Sequence, residues 1–366
     1  MINAIYLISR FKQSGPVNQA LNLAMGMDAS FCKMIVVTMS PDPPKNRKDK
    51  FDASGVEYIQ LNRKNWDILG CIKDIKRLIK QYNISVVHSS GVRPDLCNLL
   101  LPKSVFKVTT IRSEIANVAE REGRIIKSIA QSVQRYSLRN MDIPVACSYA
   151  LANRIMSEIG RRVGVIHNCV NTELYCPCPN KKELREQLGL SWDKTIYVVL
   201  GSLIERKNNE VVLKYFSRAK DDDSLLLMIG DGKLKPIYQE KYNTPNIKYL
   251  GHVEQPLSYM QAADYLISAS TSEGLPNSVL EALACGLPVI LSDIEPHREI
   301  LCEGDVGCIF DHSSVDALSE VIQGLRKRDY SVLSANCRTT ADQKFSIQKT
   351  AQQYFQLYQK GPTNNS

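Results

Sequence analysis

No window of the chain approaches the ~18–20 uninterrupted apolar residues of a membrane-spanning helix, and none is expected. The opening residues, MINAIYLISRFK, lack the basic segment of a secretory leader. Charge arrives only at Arg10 and Lys12, behind an apolar run of strand length. No disulfide framework is legible either. The eleven cysteines are odd in number, scattered from Cys32 to Cys337, and mostly set in apolar runs, where a thiol serves as a small hydrophobe. That usage predicts a reducing compartment, the cytoplasm. Cys176 and Cys178 form a C-x-C within YCPCPN, but no second Cys or His pair stands at zinc-finger spacing, so a plain linker is expected there. The chain has no short-period repeat and no basic motif interleaved with aromatics. The second absence argues against a nucleic-acid partner.

What is present suits a globular protein: 44% hydrophobic and 23% charged residues. At 366 residues the chain is too long for one hydrophobic core and predicts two domains. Its charge is unevenly spread. Residues 1–180 hold 25 Lys and Arg against 14 Asp and Glu, while the remainder holds 21 against 24. A half this basic points to an anionic partner: nucleic acid, anionic lipid or a phosphorylated substrate.

Short apolar runs alternate with amphipathic stretches along the whole chain. In the first half the runs 4–9, 34–39, 56–61, 84–88, 106–111, 144–147 and 163–166 are rich in Val, Ile and Tyr and too short for helices. Helical patterns such as 66–82 and 94–101 lie between them. Residues 168–182, NCVNTELYCPCPNKK, break the rhythm and read as an interdomain linker. The alternation then restarts, with strands expected at 195–200, 225–229, 247–250, 265–268, 288–291 and 308–310. Helices are expected at 208–218, 256–263, 276–285 and 315–326. Strand–helix alternation predicts two doubly wound α/β domains with parallel sheets covered on both faces. Such sheets bind ligands at the carboxyl ends of their strands, and two of them facing each other form a cleft.

Two constellations carry chemistry. The first is SASTSEGLPNSVLEALACGLPVILSDIEP, residues 268–296, which reads strand, turn, helix, strand. Pro276 suits a first helical turn and Gly286 the position past a helix end. Glu273 then lies in a loop at a strand's carboxyl end. Glu281 lies in the helix, about 7–8 Å further along its axis. Two carboxylates so placed can each accept hydrogen bonds from a hydroxyl-rich ring, with a phosphate held between them by the helix start. The second is GSLIERKN, residues 201–208, between a strand and a helix. Arg206 and Lys207 there suit a diphosphate, and would stabilise the charge that develops as it departs.

Weaker signals surround these. Glycines end strands in LMIGDG and YLGHVE, and Ser14, Gly15 and Pro16 follow the first strand; backbone at such points can approach a ligand or simply turn. His88 ends a strand in VVHSSGVRPD, where it either touches substrate or packs in the core. The run Asp221, Asp222, Asp223 precedes a strand, at the amino end, and is read as a charged loop rather than a metal site. No metal and no bound cofactor are expected. Residues 123–140, GRIIKSIAQSVQRYSLRN, set apolar residues 125, 126, 129, 133 and 136 among Arg124, Lys127, Arg135 and Arg139. Such a helix either lies on an anionic membrane or packs its apolar face inward.

In order and spacing, the R-K of GSLIERKN, the GDG, the YLGHVE and the E-x7-E block resemble glycosyltransferase family 4, retaining enzymes of the GT-B fold. The resemblance covers nearly the whole chain and is densest over residues 195–301. It implies two Rossmann-like domains facing a cleft. Residues 1–172 would form an acceptor-binding domain, joined by a C-terminal helix at about 346–360 that crosses back to it. Residues 173–345 would form the nucleotide-sugar domain. It implies that Arg206 and Lys207 bind the donor diphosphate, that Glu273 contacts the donor sugar and Glu281 the ribose. It also places Gly15, Gly201, Gly230, Gly232, Val253, Gly274, Leu275 and Pro276 around the donor.

Relatives often carry H-x-H where this chain has His88, Ser89 and Ser90, so Ser90 stands at the sugar-facing position. They often read N-G-V-D at the linker, where Asn168, Cys169, Val170 and Asn171 stand here. Similar bacterial enzymes extend undecaprenyl-diphosphate-linked glycans at the cytoplasmic face, in O-antigen, capsule or exopolysaccharide assembly. The expected reaction is retaining transfer of a sugar from a nucleotide sugar, UDP before GDP. The expected location is cytoplasmic, peripheral at the inner membrane face. A sugar-nucleotide epimerase on the same fold is the alternative within enzymes. A phosphorylase would need a cofactor-lysine motif that is not found. A non-catalytic sugar- or nucleic-acid-binding protein is the alternative outside enzymes.

Overall fold

Parallel strands buried on both faces need continuous apolar runs, and the short runs of the sequence become such strands. The computed structural model describes residues 1–118, 123–218 and 223–361. It divides into two units: Met1–Cys169 with the segment from Ile347 onward, and Val170–Ser346.

Unit one runs β1 (Ile2–Ile8), α1 (Gly15–Gly26), β2 (Cys32–Thr38), α2 (Lys48–Ser54), β3 (Tyr58–Gln60), α3 (Ile68–Gln81), β4 (Val86–Ser89), α4 (Val92–Leu99), β5 (Phe106–Ile111), α5 (Arg124–Asn140), β6 (Ile143–Ala146), α6 (Tyr149–Ile159) and β7 (Gly164–Val165). Its seven strands are all parallel, in the order β3-β2-β1-β4-β5-β6-β7. Alternate residues of β1 serve opposite faces, as a strand's period of two requires. Ala4, Tyr6 and Ile8 pack with Phe11, Leu21 and Tyr354, whereas Ile5 and Leu7 pack with Val37, Ile72 and Ile75.

Unit two runs α7 (Lys181–Gln187), β8 (Thr195–Leu200), α8 (Asn209–Arg218), β9 (Ser224–Ile229), α9 (Lys235–Lys241), β10 (Ile247–Gly251), α10 (Leu257–Ala262), β11 (Tyr265–Ser268), α11 (Asn277–Ala284), β12 (Val289–Ser292), α12 (Glu295–Leu301), β13 (Gly307–Phe310), α13 (Val315–Arg326) and α14 (Tyr330–Lys344). Its six parallel strands follow the order β10-β9-β8-β11-β12-β13. The final helix, α15 (Ile347–Tyr358), belongs to unit one. There it packs so tightly along α1 that a Cβ on Gly26 would stand 2.5 Å from the Ile347 carbonyl oxygen. The architecture is that of two Rossmann-like domains, as the strand–helix alternation predicts.

Both sheets reverse their strand order beside their first strand, between β1 and β4 and between β8 and β11. The loops after those strands flank the crevice where doubly wound sheets take ligands. GSLIERKN follows β8, and STSEGLP follows β11. Of the aspartate run, Asp221 and Asp222 lie outside the described residues. Asp223 sits at the amino end of the sheet, its carbonyl accepting from Thr195 N at 2.7 Å.

Helix α5 divides along its length. Its second half packs inward through Gln134, Ser137 and Leu138. Its first half leaves Ile125 76%, Ile126 56% and Ile129 59% exposed, so packing on the core does not account for those side chains. Among the described residues no helix is long and apolar enough to cross a membrane.

Candidate functional site

Unit two brings Arg206, Lys207 and Glu273 into contact. After β8 the chain runs through Ser202, Leu203 and Ile204 into a single 3₁₀ turn, Glu205–Lys207. Asn208 then reverses it at φ +47°, a left-handed conformation that asparagine tolerates better than most residues. Its Nδ2 is fixed to the His312 carbonyl at 2.8 Å. The turn is stitched to the β11 loop by Thr271 N–H, which donates to the Arg206 carbonyl at 2.9 Å.

Lys207 Nζ donates to Glu273 Oε1 at 2.6 Å, and Ser270 Oγ donates to the same oxygen at 2.8 Å. Arg206 Nη1 lies 3.0 Å from Glu273 Oε2 and also meets the Ser272 carbonyl. The Glu273 side chain is 10% exposed, that of Lys207 18% and that of Arg206 35%. Burial alone would push the Glu273 carboxyl up. The charges of Lys207 and Arg206, with hydrogen bonds from Lys207 and Ser270, outweigh it and bring the carboxyl down to about 2. The site therefore holds one carboxylate and two cations, a net positive charge at the mouth of a doubly wound sheet.

The glycines of the neighbouring loops have a structural task. A Cβ on Gly230 would stand 1.8 Å from the Gly201 carbonyl oxygen, and one on Gly232 would stand 2.3 Å from the Leu203 carbonyl oxygen. Backbone thus packs on backbone, and the β8 loop is held from behind by Leu203 N–H donating to the Asp231 carbonyl at 3.0 Å. Lys207 lies across Gly201, its Cε 3.4 Å from where a Cβ would be. Leu275 and Pro276 are buried and anchor the start of α11, whereas Gly274 and Val253 are half-buried in their loops. Glu281 lies half-buried within α11, and Gly15 is the first residue of α1 in unit one.

His297, which nothing in the sequence singled out, supports the Glu273 loop from below. It is fully buried in α12. Its Nδ1 lies 2.9 Å from the Ser292 carbonyl, which can only accept, so that nitrogen carries a proton. Ser292 Oγ in turn donates to the Ser270 carbonyl at 2.6 Å, and Ser270 holds Glu273. Burial lowers the imidazole pKa to about 4, and the ring is neutral at pH 7. A histidine directly after Pro296, in the first turn beyond β12, is the only sequence signal for this role.

His88 belongs to the core of unit one. Its Nδ1 lies 2.6 Å from the Tyr358 hydroxyl and its Nε2 2.7 Å from Thr110 Oγ1, with the Tyr6 ring 4.3 Å away. Burial holds its pKa well below 6.5. Both nitrogens are engaged and no part of it is exposed, so of its two expected roles the structure gives it the packing one. Ser90 is half-buried and donates to the Thr110 carbonyl at 2.9 Å. Among the described residues no three His, Cys, Asp or Glu side chains converge as a metal-holding group.

Two family models match the chain in succession. Glycosyltransferase Family 4 matches residues 13–174, and Glycosyl transferases group 1 matches residues 180–343. A UDP-Gal:alpha-D-GlcNAc-diphosphoundecaprenol alpha-1,3-galactosyltransferase of Escherichia coli is 27% identical over 212 residues, 54% of either chain. The O-antigen biosynthesis glycosyltransferase WbnH of Escherichia coli is 27% identical over 323 residues, 86% of this chain and 88% of that one. In structure the chain is similar to Anabaena Alr3699/HepE in complex with UDP and glucose. That match has a TM-score of 0.80 at 16% identity and covers 98% of this chain and all of that one.

Proposed function

The chain belongs to the glycosyltransferases that these two models describe, and we propose that it moves a sugar from a nucleotide sugar to a glycan or lipid-linked oligosaccharide, with retention at the anomeric carbon. The Arg206–Lys207–Glu273 cluster, at the carboxyl ends of β8 and β11, carries this reading. Arg206 and Lys207 hold the diphosphate and stabilise the charge it gains as it leaves. Glu273, kept ionised by those cations, accepts hydrogen bonds from donor-sugar hydroxyls, and Glu281 accepts from the ribose. The bond from the anomeric carbon to the phosphate oxygen breaks while the acceptor oxygen bonds to the same face. The acceptor's proton passes to the departing phosphate oxygen. Such a reaction needs no protein base, and the protein contributes position and charge. No metal ion enters it.

UDP is favoured over GDP as the nucleotide because the galactosyltransferase above is named for UDP-Gal and the structural neighbour holds UDP. Assembly of bacterial surface polysaccharide is favoured by the same relatives' names. The exposed isoleucines of α5, beside Arg124 and Lys127, support attachment at an anionic membrane surface on the cytoplasmic side.

Thermal stabilisation across UDP, GDP and their sugar conjugates, with Arg206→Ala and Glu281→Ala alongside, tests the donor site. The expected result is a UDP-specific shift that both variants weaken. No shift with any sugar nucleotide, in a folded protein, would sink the reading. NMR of the product settles the anomer, and an inverted one rejects retention.

A further inference from the structure

The YCPCPN segment, which the donor site leaves unused, lies in unit two against the end of α11. One nitrogen joins the two: Arg338 Nη1 donates to the Tyr175 carbonyl at 2.9 Å and to the Ala284 carbonyl at 2.9 Å. Two residues further along each segment they meet again, where a Cβ on Gly286 would stand 3.4 Å from Pro177 Cγ. Between these contacts stand Cys176 on one segment and Cys285 on the other. A disulfide needs Cα atoms about 4.4–6.8 Å apart, and segments in contact on both sides of a cysteine pair are the arrangement that supplies it. Gln261 Nε2 fixes the Cys176 backbone in place by donating to its carbonyl at 2.7 Å.

The two thiols differ in access. Cys176 is half-buried, and Cys285 is 7% exposed. Burial first, then the neighbouring Glu281 and Cys176, push the Cys285 thiol up to about 12. Cys176 is therefore the thiol an oxidant meets first, and Cys285 the one that follows. Cys71 and Cys97 also lie near enough to act on one another, but both are fully buried in unit one, out of an oxidant's reach.

We propose that Cys176 and Cys285 are a modification site, a dithiol that peroxide converts to a disulfide. The Cys176 thiolate attacks one peroxide oxygen, the O–O bond breaks, and hydroxide leaves and is protonated to water. Sulfur is oxidised to the sulfenic acid and peroxide is reduced. Cys285 sulfur then attacks Cys176 sulfur. The S–O bond breaks, and the hydroxyl departs as water with the Cys285 proton. The bond closes a loop from Cys176 to Cys285 that contains Arg206, Lys207, Glu273 and Glu281. A cross-link over so long a loop restricts the unfolded chain, so oxidation staples the unit that carries the donor site.

Peptide mapping of the folded full chain after brief hydrogen peroxide treatment, with the remaining thiols alkylated, tests the pairing. The expected product is one pair of peptides joined through Cys176 and Cys285, released by dithiothreitol. The oxidised protein should melt about 5 °C or more above the reduced one. Cys176→Ser should abolish both the link and the rise, and Cys178→Ser should keep both. Cys176 recovered as sulfinic acid, or joined to Cys178, overturns the pairing. A Cys176–Cys285 link that leaves the melting temperature unchanged overturns the staple. If Cys176→Ser does not fold, Cys285→Ala serves in its place, and the wild-type map decides the pairing alone. The link is read without any sugar nucleotide, so failure of the transferase reading would leave it standing.

Discussion

Lys207 Nζ and Glu273 Oε1 are 2.6 Å apart although 66 residues separate them in the chain. The contact joins the loops of two adjacent strands, β8 and β11, across the crevice where the strand order reverses. Neither side chain is well solvated, so each depends on the other for its charge. A ligand diphosphate arriving here competes with Glu273 for Lys207 and Arg206, and a ligand hydroxyl competes with them for Glu273. The site is set up for a molecule that carries both groups.

Replacing Lys207 with Ala should therefore cost transition-state stabilisation more than ground-state binding. The expected fall in kcat is about 100-fold or more, the scale seen for loss of one preorganised charge-stabilising donor. Steady-state rates at saturating donor measure it. A rise in KM with kcat unchanged would limit Lys207 to binding.

Glu273→Gln separates charge from shape. It leaves two cations without their anion, and the expected loss of stability at pH 7 is about 3 kcal/mol, typical of breaking a buried pair. The folded carboxyl titrates at about 2, below its unfolded value, so its contribution is complete above about pH 5. It is lost as pH falls toward 2. Urea unfolding of the two proteins should show a smaller gap at pH 3 than at pH 7. An equal gap at both would mean that the carboxyl is not depressed.

The strands and their order of appearance were legible in the sequence because parallel strands buried on both faces read as short, mostly apolar runs. The helix expected over 315–326 forms with those bounds, and the structure adds its cap, Ser314 accepting from the Ala317 N–H. Helix α14 was not foreseen. Its buried face is Leu333, Cys337, Thr340 and Ala341, and only one of these is strongly apolar. Arg206, Lys207 and Glu273 could be picked out by type and position, but not their contact, which depends on how β8 and β11 pair. The glycines of GDG read as places for a ligand, and their task of meeting the β8 loop is a tertiary fact. His297 was invisible for the same reason.

His297 offers a test of that hidden support. A neutral ring donating to the Ser292 carbonyl holds the strand end from which Ser270 and Glu273 are hung. His297→Ala should lower stability by about 1–3 kcal/mol through the vacated space and lost hydrogen bond, and should lower kcat as well. The folded pKa is about 4, depressed from 6.5, so its contribution is full above about pH 6.5 and declines as pH falls through 4. His297→Asn keeps a donor at short range, and partial rescue of kcat by it would mark a positioning role. An alanine variant with full activity would reduce His297 to packing.

The outward isoleucines of α5 predict a surface property. Changing Ile125, Ile126 and Ile129 together to Ser should abolish flotation with vesicles rich in anionic lipid while leaving UDP stabilisation intact. Wild-type flotation should also weaken as salt rises, because Arg124 and Lys127 act through a screened field. Flotation indifferent to the anionic fraction would leave that face without its proposed occupant.

Gly230 and Gly324 should respond in opposite senses to the same added methyl group. A Cβ on Gly230 would collide with the Gly201 carbonyl oxygen at 1.8 Å, and its φ of +141° disfavours any other residue. The collision cannot be relieved by a side chain turning away, because the obstacle is the backbone that sets Lys207 in place. Gly230→Ala should cost about 3 kcal/mol or more and weaken UDP binding with it. Gly324 lies within α13 and its added Cβ meets nothing within 4 Å. There alanine removes unfolded-state freedom at no steric cost and should stabilise the fold by about 0.5–1 kcal/mol. Thermal melts of the two variants give both signs in one experiment. A Gly230→Ala protein as stable as wild type would mean that the β8 loop is not held by its neighbour, and that Arg206 and Lys207 owe their position to Glu273 alone.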